Sequence, residues 1–125
     1  MGNANQPEYD LCERTAKFGE ASIRFCRAIK PDVVTASLIR QLIRAATSIG
    51  ANYVEADEAG SKKEFRYRLS ICRRETKETQ YWLRMLVAAS PSQRDASAVL
   101  WKEARELLLI FSAIHRKSDE TEQLK

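Results

Sequence analysis

Apolar positions recur along this chain at alternating three- and four-residue steps, the spacing of one face of an α-helix. Leu11, Thr15, Phe18, Ser22, Phe25 and Ile29 form the first such set, and they predict a helix over about 9–29. Pro31 stops it, because proline has no N–H to donate and restricts the residue before it. A second set, Ile39, Leu42, Ala46, Ile49 and Tyr53, predicts a helix from Asp32–Thr35 to about Ala59. The third runs over 61–89 with Phe65, Leu69, Cys72, Thr76, Thr79, Leu83 and Leu86 on its seam. The fourth, about 92–117, has Leu100, Ala104, Leu107, Phe111 and Ile114.

Small residues and boundary signals refine the picture. Cys12, Gly19 and Cys26 give the first helix a narrow margin, and Ala45, Ala46, Ser48, Gly50 and Ala51 do the same for the second. An interior glycine costs ~1 kcal/mol relative to alanine, so close approach of a neighbour is the expected compensation at Gly50. Gly60 sits where a helix ends, and Ser61-Lys62-Lys63-Glu64 reads as a capping box opening the third helix. Ser90-Pro91-Ser92 reads as a turn whose serines can cap the fourth. Short connections favour antiparallel neighbours, so the predicted fold is an all-α, up-down-up-down four-helix bundle. Its second and third helices should be the longest, and it should fill one domain over residues 1–125, with 1–8 and 118–125 loose.

The third helix carries more than a seam. Lys63, Arg66, Arg73, Lys77 and Arg84 fall on a ~80° arc beside it, a basic stripe suited to phosphate. Tyr67, Ile71, Tyr81, Trp82 and Met85 lie away from the seam, and this surplus apolar surface predicts an oligomer interface. On the second helix Gln41, Arg44, Ser48, Asn52 and Glu55 make a polar ladder at the edge of the seam. A solvated face is its plain reading. The sharper one is structural, with short polar side chains hydrogen-bonding across to a neighbouring helix.

Formal net charge is only +4, but it is segregated. Residues 61–90 hold eight basic and three acidic side chains, whereas residues 91–125 hold six of each. The positive field therefore belongs to the third helix. The start MGNANQPEYD has no basic n-region followed by an apolar one, fails the myristoylation pattern at Gln6, and predicts a cytoplasmic protein. Cys12, Cys26 and Cys72 form no C-x-x-C pair and read as reduced thiols, two of them within the small-residue margin of the first helix. His115 is the only histidine and reads as a cation near the end of the fourth helix. One histidine cannot build the paired Glu-x-x-His motifs of a bundle di-metal site, and no Gly-rich phosphate loop occurs. The Arg-spacer-His motif of some helical-bundle ribonucleases, with four to six intervening residues, is not matched, because nine residues separate His115 from Arg105, the nearest preceding arginine. No residue takes a catalytic assignment, and no metal or cofactor is expected.

The segment LIRQLIRAATSIGANYVEADEA resembles the Q-x-x-R-A-A-x-S-x-x-A-N-x-x-E motif of the four-helix-bundle family of bacterial large-subunit rRNA intervening sequences, at Gln41, Arg44, Ala45, Ala46, Ser48, Ala51, Asn52 and Glu55. Phe65 and Leu69, then Glu78, Thr79, Tyr81, Trp82 and Leu83, are similar to its F-x-x-x-L and E-T-x-Y-W-L segments, and KEARELLLIFSAIHRK also fits. The resemblance implies the bundle fold and no established enzymatic activity. More distantly the chain is similar to the accessory variability protein of diversity-generating retroelements. That similarity implies a homo-oligomer, a pentamer, contacting nucleic acid and a protein partner. Two functions follow as expectations: a non-enzymatic accessory protein binding RNA or DNA through the basic stripe, or an interaction scaffold whose charge is incidental.

Overall fold

The computed structural model describes residues 10–123. Four helices, α1 (Leu11–Arg27), α2 (Val33–Asp57), α3 (Lys62–Ala89) and α4 (Arg94–Gln123), form an antiparallel up-down-up-down bundle, with no strand among the described residues. The expected loose segment 1–8 lies outside the described residues.

Local chemistry sets each boundary. Asp10 accepts from the Glu13 N–H at 3.1 Å and opens α1. Asp32 accepts from the N–H groups of Val34 and Thr35 while the Thr35 hydroxyl accepts from the Asp32 N–H, a complete capping box. These contacts to the ionised form hold the Asp32 carboxyl below its usual range. Ser61 accepts from the Glu64 N–H at 3.1 Å, and the chain breaks between Asp57 and Lys62 as the sequence predicts. Gly60 takes no positive φ, so the turn is not a left-handed cap. Ser90 makes no side-chain cap; Pro91–Gln93 instead forms a single 3₁₀ turn leading into α4.

The predicted seams point inward. Leu11, Thr15, Phe18, Ser22 and Phe25 of α1 are buried, as are Leu69, Cys72, Thr76, Thr79, Leu83 and Leu86 of α3. They meet Leu42, Ala46 and Ile49 of α2 and Leu100, Ala104, Leu107 and Phe111 of α4 in one core. The buried hydroxyls are satisfied locally: Thr15, Ser22, Thr76 and Thr79 each donate to the carbonyl four residues back, at 2.6 to 2.9 Å. Gly50 supplies the close approach, since a Cβ there would lie 3.2 Å from Thr15 Oγ1 on α1. The thiols of Cys26 and Cys72 are buried and unbridged. Burial pushes the first up to about 11 and the second to about 12.

Two expectations about length are corrected. α4, at 30 residues, is longer than α3 at 28 and α2 at 25. It continues past the predicted end at 117 to Gln123, because Asp119 is held by Arg66 of α3 at 3.4 Å and by His115 one turn back at 3.6 Å. His115 consequently lies within the helix rather than at its end.

Candidate nucleic-acid interface

α3 packs between α2 and α4, and its circumference divides accordingly. The core seam occupies one sector. On the α2 flank, the ladder residues reach across to α3. Arg44 is held by Gln41 at 3.2 Å, donates to the buried Glu75 carboxylate at 3.2 Å, and also pairs with Glu78. Glu78 in turn accepts from the Trp82 indole N–H at 3.2 Å. About two turns further along α2, Asn52 donates to the Ser48 carbonyl at 2.9 Å and accepts from Arg68 at 3.2 Å, while Glu55 stands 4.0 Å from the same guanidinium. The ladder thus joins α2 to α3 through Glu75, Glu78 and Arg68. Sequence periodicity could place the ladder at an edge but could not name these partners, which lie 13 to 34 residues away along the chain.

The five cations of the predicted stripe divide between two sectors. Arg66 and Arg73 are half-buried on the α4 flank, where Arg66 pairs with Asp119 and Arg73 donates to Ser112 Oγ at 3.2 Å. Lys63, Lys77 and Arg84 are exposed and make no ion pair among the described residues. Arg74, which the sequence reading did not single out, is exposed beside them, 4.0 Å from Glu75. The predicted apolar patch also divides. Ile71, Trp82 and Met85 are half-buried on the α2 side, Trp82 packing against the core, whereas Tyr67 and Tyr81 are 60% and 52% exposed.

The outward crest of α3 is therefore Lys63, Tyr67, Arg74, Lys77, Tyr81 and Arg84, recurring at three- to seven-residue intervals. All three acids of this helix, Glu64, Glu75 and Glu78, point toward the α2 side of that crest. A wheel drawn from the cations alone missed Arg74 because the crest's centre is fixed by where α2 and α4 pack. That signal was present in the opposite seam, whose diametric positions include Arg74 and Tyr81.

The remaining surface offers less chemistry. A groove of about 550 Å³ runs between α1 and α4 over Phe18, Ala21, Val99 and Leu100, bridged at its rim by Arg14 and Glu103 at 2.7 Å. It lies away from the α3 crest. No cluster able to hold a metal occurs among the described residues, and no described helix is long and apolar enough to cross a membrane. The Cys12 thiol is raised by burial and by Asp57, whose carboxylate lies 3.8 Å away, so it is no activated nucleophile.

No curated protein matches the chain. A crystal structure of a protein of unknown function from the S23 ribosomal protein family of Bacteroides thetaiotaomicron superposes with a TM-score of 0.74. The two share 26% identity over 83% of this chain and 96% of that one. The family described as 23S rRNA-intervening sequence protein matches residues 8–117, a span that takes in the ladder, the α3 crest and the whole core. With four antiparallel helices in the same arrangement as that solved structure, the chain belongs to the 23S rRNA-intervening sequence protein family.

Proposed function

We propose that the protein is a non-enzymatic nucleic-acid-binding accessory factor that docks phosphate along the outer side of α3. The observation that carries this reading is the exposed crest itself. Lys63, Arg74, Lys77 and Arg84 project from it, while Arg44 of α2 holds Glu75 and Glu78 to one side. Such a ribbon binds phosphate with little sequence preference and strong salt dependence. Arg66 and Arg73 supply positive potential from the flank but are tied to α4. The family is named for intervening sequences of 23S rRNA, which makes RNA the first nucleic acid to test.

The resemblance to ring-forming relatives adds a homo-oligomer, a pentamer, in which each subunit repeats the ribbon and weak contacts multiply. A second reading is favoured by the exposed apolar residues Tyr67, Tyr81, Trp101 and Leu109. In it Tyr67, Ile71, Tyr81, Trp82 and Met85 join subunits of a protein-binding scaffold and the charge is incidental. Electrophoretic mobility shift with a random RNA at 50 mM and 300 mM salt separates the two. Retention at low salt that is lost at high salt, and lost in Lys77→Glu/Arg84→Glu, supports nucleic-acid binding. Absence of retention at low salt removes it and leaves the scaffold.

A further inference from the structure

Resting on that nucleic-acid reading, we infer that the α3 crest is a single-strand site in which Tyr67 and Tyr81 stack unpaired bases between the phosphate-binding cations. Both rings are exposed, and neither hydroxyl has a hydrogen-bond partner among the described residues. An exposed tyrosine on a helix is ordinary; two on one crest, each braced from the same side, are less so.

The bracing comes from the α2 flank. Tyr81 meets Trp82 edge-on, with ring centroids 5.0 Å apart and planes at 78°. Trp82 is fixed by its N–H to Glu78, and Glu78 by Arg44. Tyr67 carries the Arg68 guanidinium 5.7 Å from its ring centroid, and Arg68 is fixed by Asn52. Each ring thus meets a side chain on its α2 side, while half or more of each tyrosine is exposed. Restricting a platform before binding reduces the entropy lost when a base settles on it.

Spacing agrees with a strand lying along the helix. Tyr67 and Tyr81 are fourteen residues apart, close to four turns and about 21 Å along the axis. That distance is about six nucleotide steps at the ~3.4 Å spacing of one helical strand. Arg74 and Lys77 lie between the two rings, and Lys63 and Arg84 lie beyond them. Aromatics alternating with cations suit a strand whose bases are free to turn toward the protein. A duplex hides its base faces, so it could use the cations and not the rings.

A contact between copies of this face is less well matched. Two crests facing each other would set Lys63, Arg74, Lys77 and Arg84 against their own kind, whereas interface centres are depleted in charge. An acidic protein would satisfy the cations but gives no reason for two braced aromatic platforms.

The test is fluorescence anisotropy of the full chain with a labelled 12-nucleotide oligo-U and, separately, a 12-base-pair duplex, at 50 mM salt. Particle mass is measured by light scattering alongside. The single strand should bind more tightly than the duplex. Tyr67→Ala/Tyr81→Ala should weaken oligo-U binding at least about tenfold, given ordinary base–aromatic stacking, and leave duplex binding and mass unchanged. Tyr67→Phe/Tyr81→Phe, which keeps the rings, should bind oligo-U like the wild type. Equal weakening of both probes, or no weakening of either while Lys77→Glu/Arg84→Glu abolishes both, overturns the single-strand inference and leaves phosphate binding standing. A fall in particle mass in the alanine variant assigns the tyrosines to a subunit contact and also overturns it. Binding of neither probe by the wild type removes the nucleic-acid reading itself.

Discussion

Replacing Arg44 by alanine should destabilise the fold through one specific neighbour, the Glu75 carboxylate. Glu75 has a side chain only 9% exposed, with the Arg44 guanidinium at 3.2 Å and Arg74 more distant at 4.0 Å. Removing one partner from a buried pair costs about 3–5 kcal/mol, because the other charge stays desolvated and unpaired. Here the Arg44 side chain is 46% exposed, so water already screens part of the attraction and a loss of ~1–3 kcal/mol is expected. The Glu78 contact adds less, since that side chain is 35% exposed. The diagnostic measurement is a double-mutant cycle with Glu75→Gln, followed by urea unfolding at pH 7. Glu75→Gln removes the buried charge along with its pairing, so it should cost under ~1 kcal/mol, and in its background Arg44→Ala should cost much less than alone. A coupling below ~0.5 kcal/mol would mean that Arg44 and Glu75 act independently. The ladder would then be a solvated face that happens to lie near α3, and its structural assignment would be wrong.

Asn52→Ala should cost ~1–3 kcal/mol by stripping Arg68 of its 3.2 Å acceptor, and should leave nucleic-acid retention intact; unchanged melting with lost binding would assign Asn52 to a ligand. Gly50→Ala should fail to gain the ~1 kcal/mol expected from helix propensity, because the new Cβ meets Thr15 Oγ1 at 3.2 Å; a full gain in stability would show that α1 gives way easily. Burial raises the thiols of Cys26 to about 11 and Cys72 to about 12, so above pH 9 the unfolded chain releases protons that the folded chain keeps. Stability from this source is complete below about pH 9 and falls as pH rises toward those values, by about 1.4 kcal/mol per pH unit for each thiol. Urea midpoints from pH 8 to 10.5 should decline less steeply in Cys26→Ala, and equal slopes would contradict the linkage.

The seams were legible because the helical period is a property of the backbone. Even polar Thr76 and Thr79 could be placed inside, since a hydroxyl that donates to the carbonyl four residues back can be buried without a distant partner. What depended on tertiary partners was not legible. The end of α4 reads as a loose polar tail, SDETEQLK, until Arg66 is seen against Asp119. Arg66 and Arg73 read as open cations until α4 supplies Asp119 and Ser112. Trp82 reads as outward-facing surplus until Glu78 and the rim of the core are found to hold it. In each case one-dimensional spacing named the sector approximately, and the neighbouring helix decided whether the side chain was in use.

The same partition determines what electrostatic field the molecule presents. Four exposed cations, Lys63, Arg74, Lys77 and Arg84, stand on the crest, and the chain's formal net charge is also +4. The other 17 basic residues are therefore matched by 17 acidic ones. Fields are screened over about 8–10 Å at physiological salt, so the charges beside the docking face, and not the total of the chain, set what a partner feels there. This distinguishes a local site from general attraction. Lys77→Glu/Arg84→Glu and Lys102→Glu/Arg105→Glu each replace two cations by two anions and bring the formal net charge from +4 to 0. Lys102 and Arg105 are exposed on α4, away from the ridge. If the ridge is the site, the α3 pair should abolish RNA retention and lower the salt slope, while the α4 pair should change affinity only a few-fold. Equal losses in the two variants, measured by salt-dependent anisotropy, would show that net charge governs binding and that the crest has no special role.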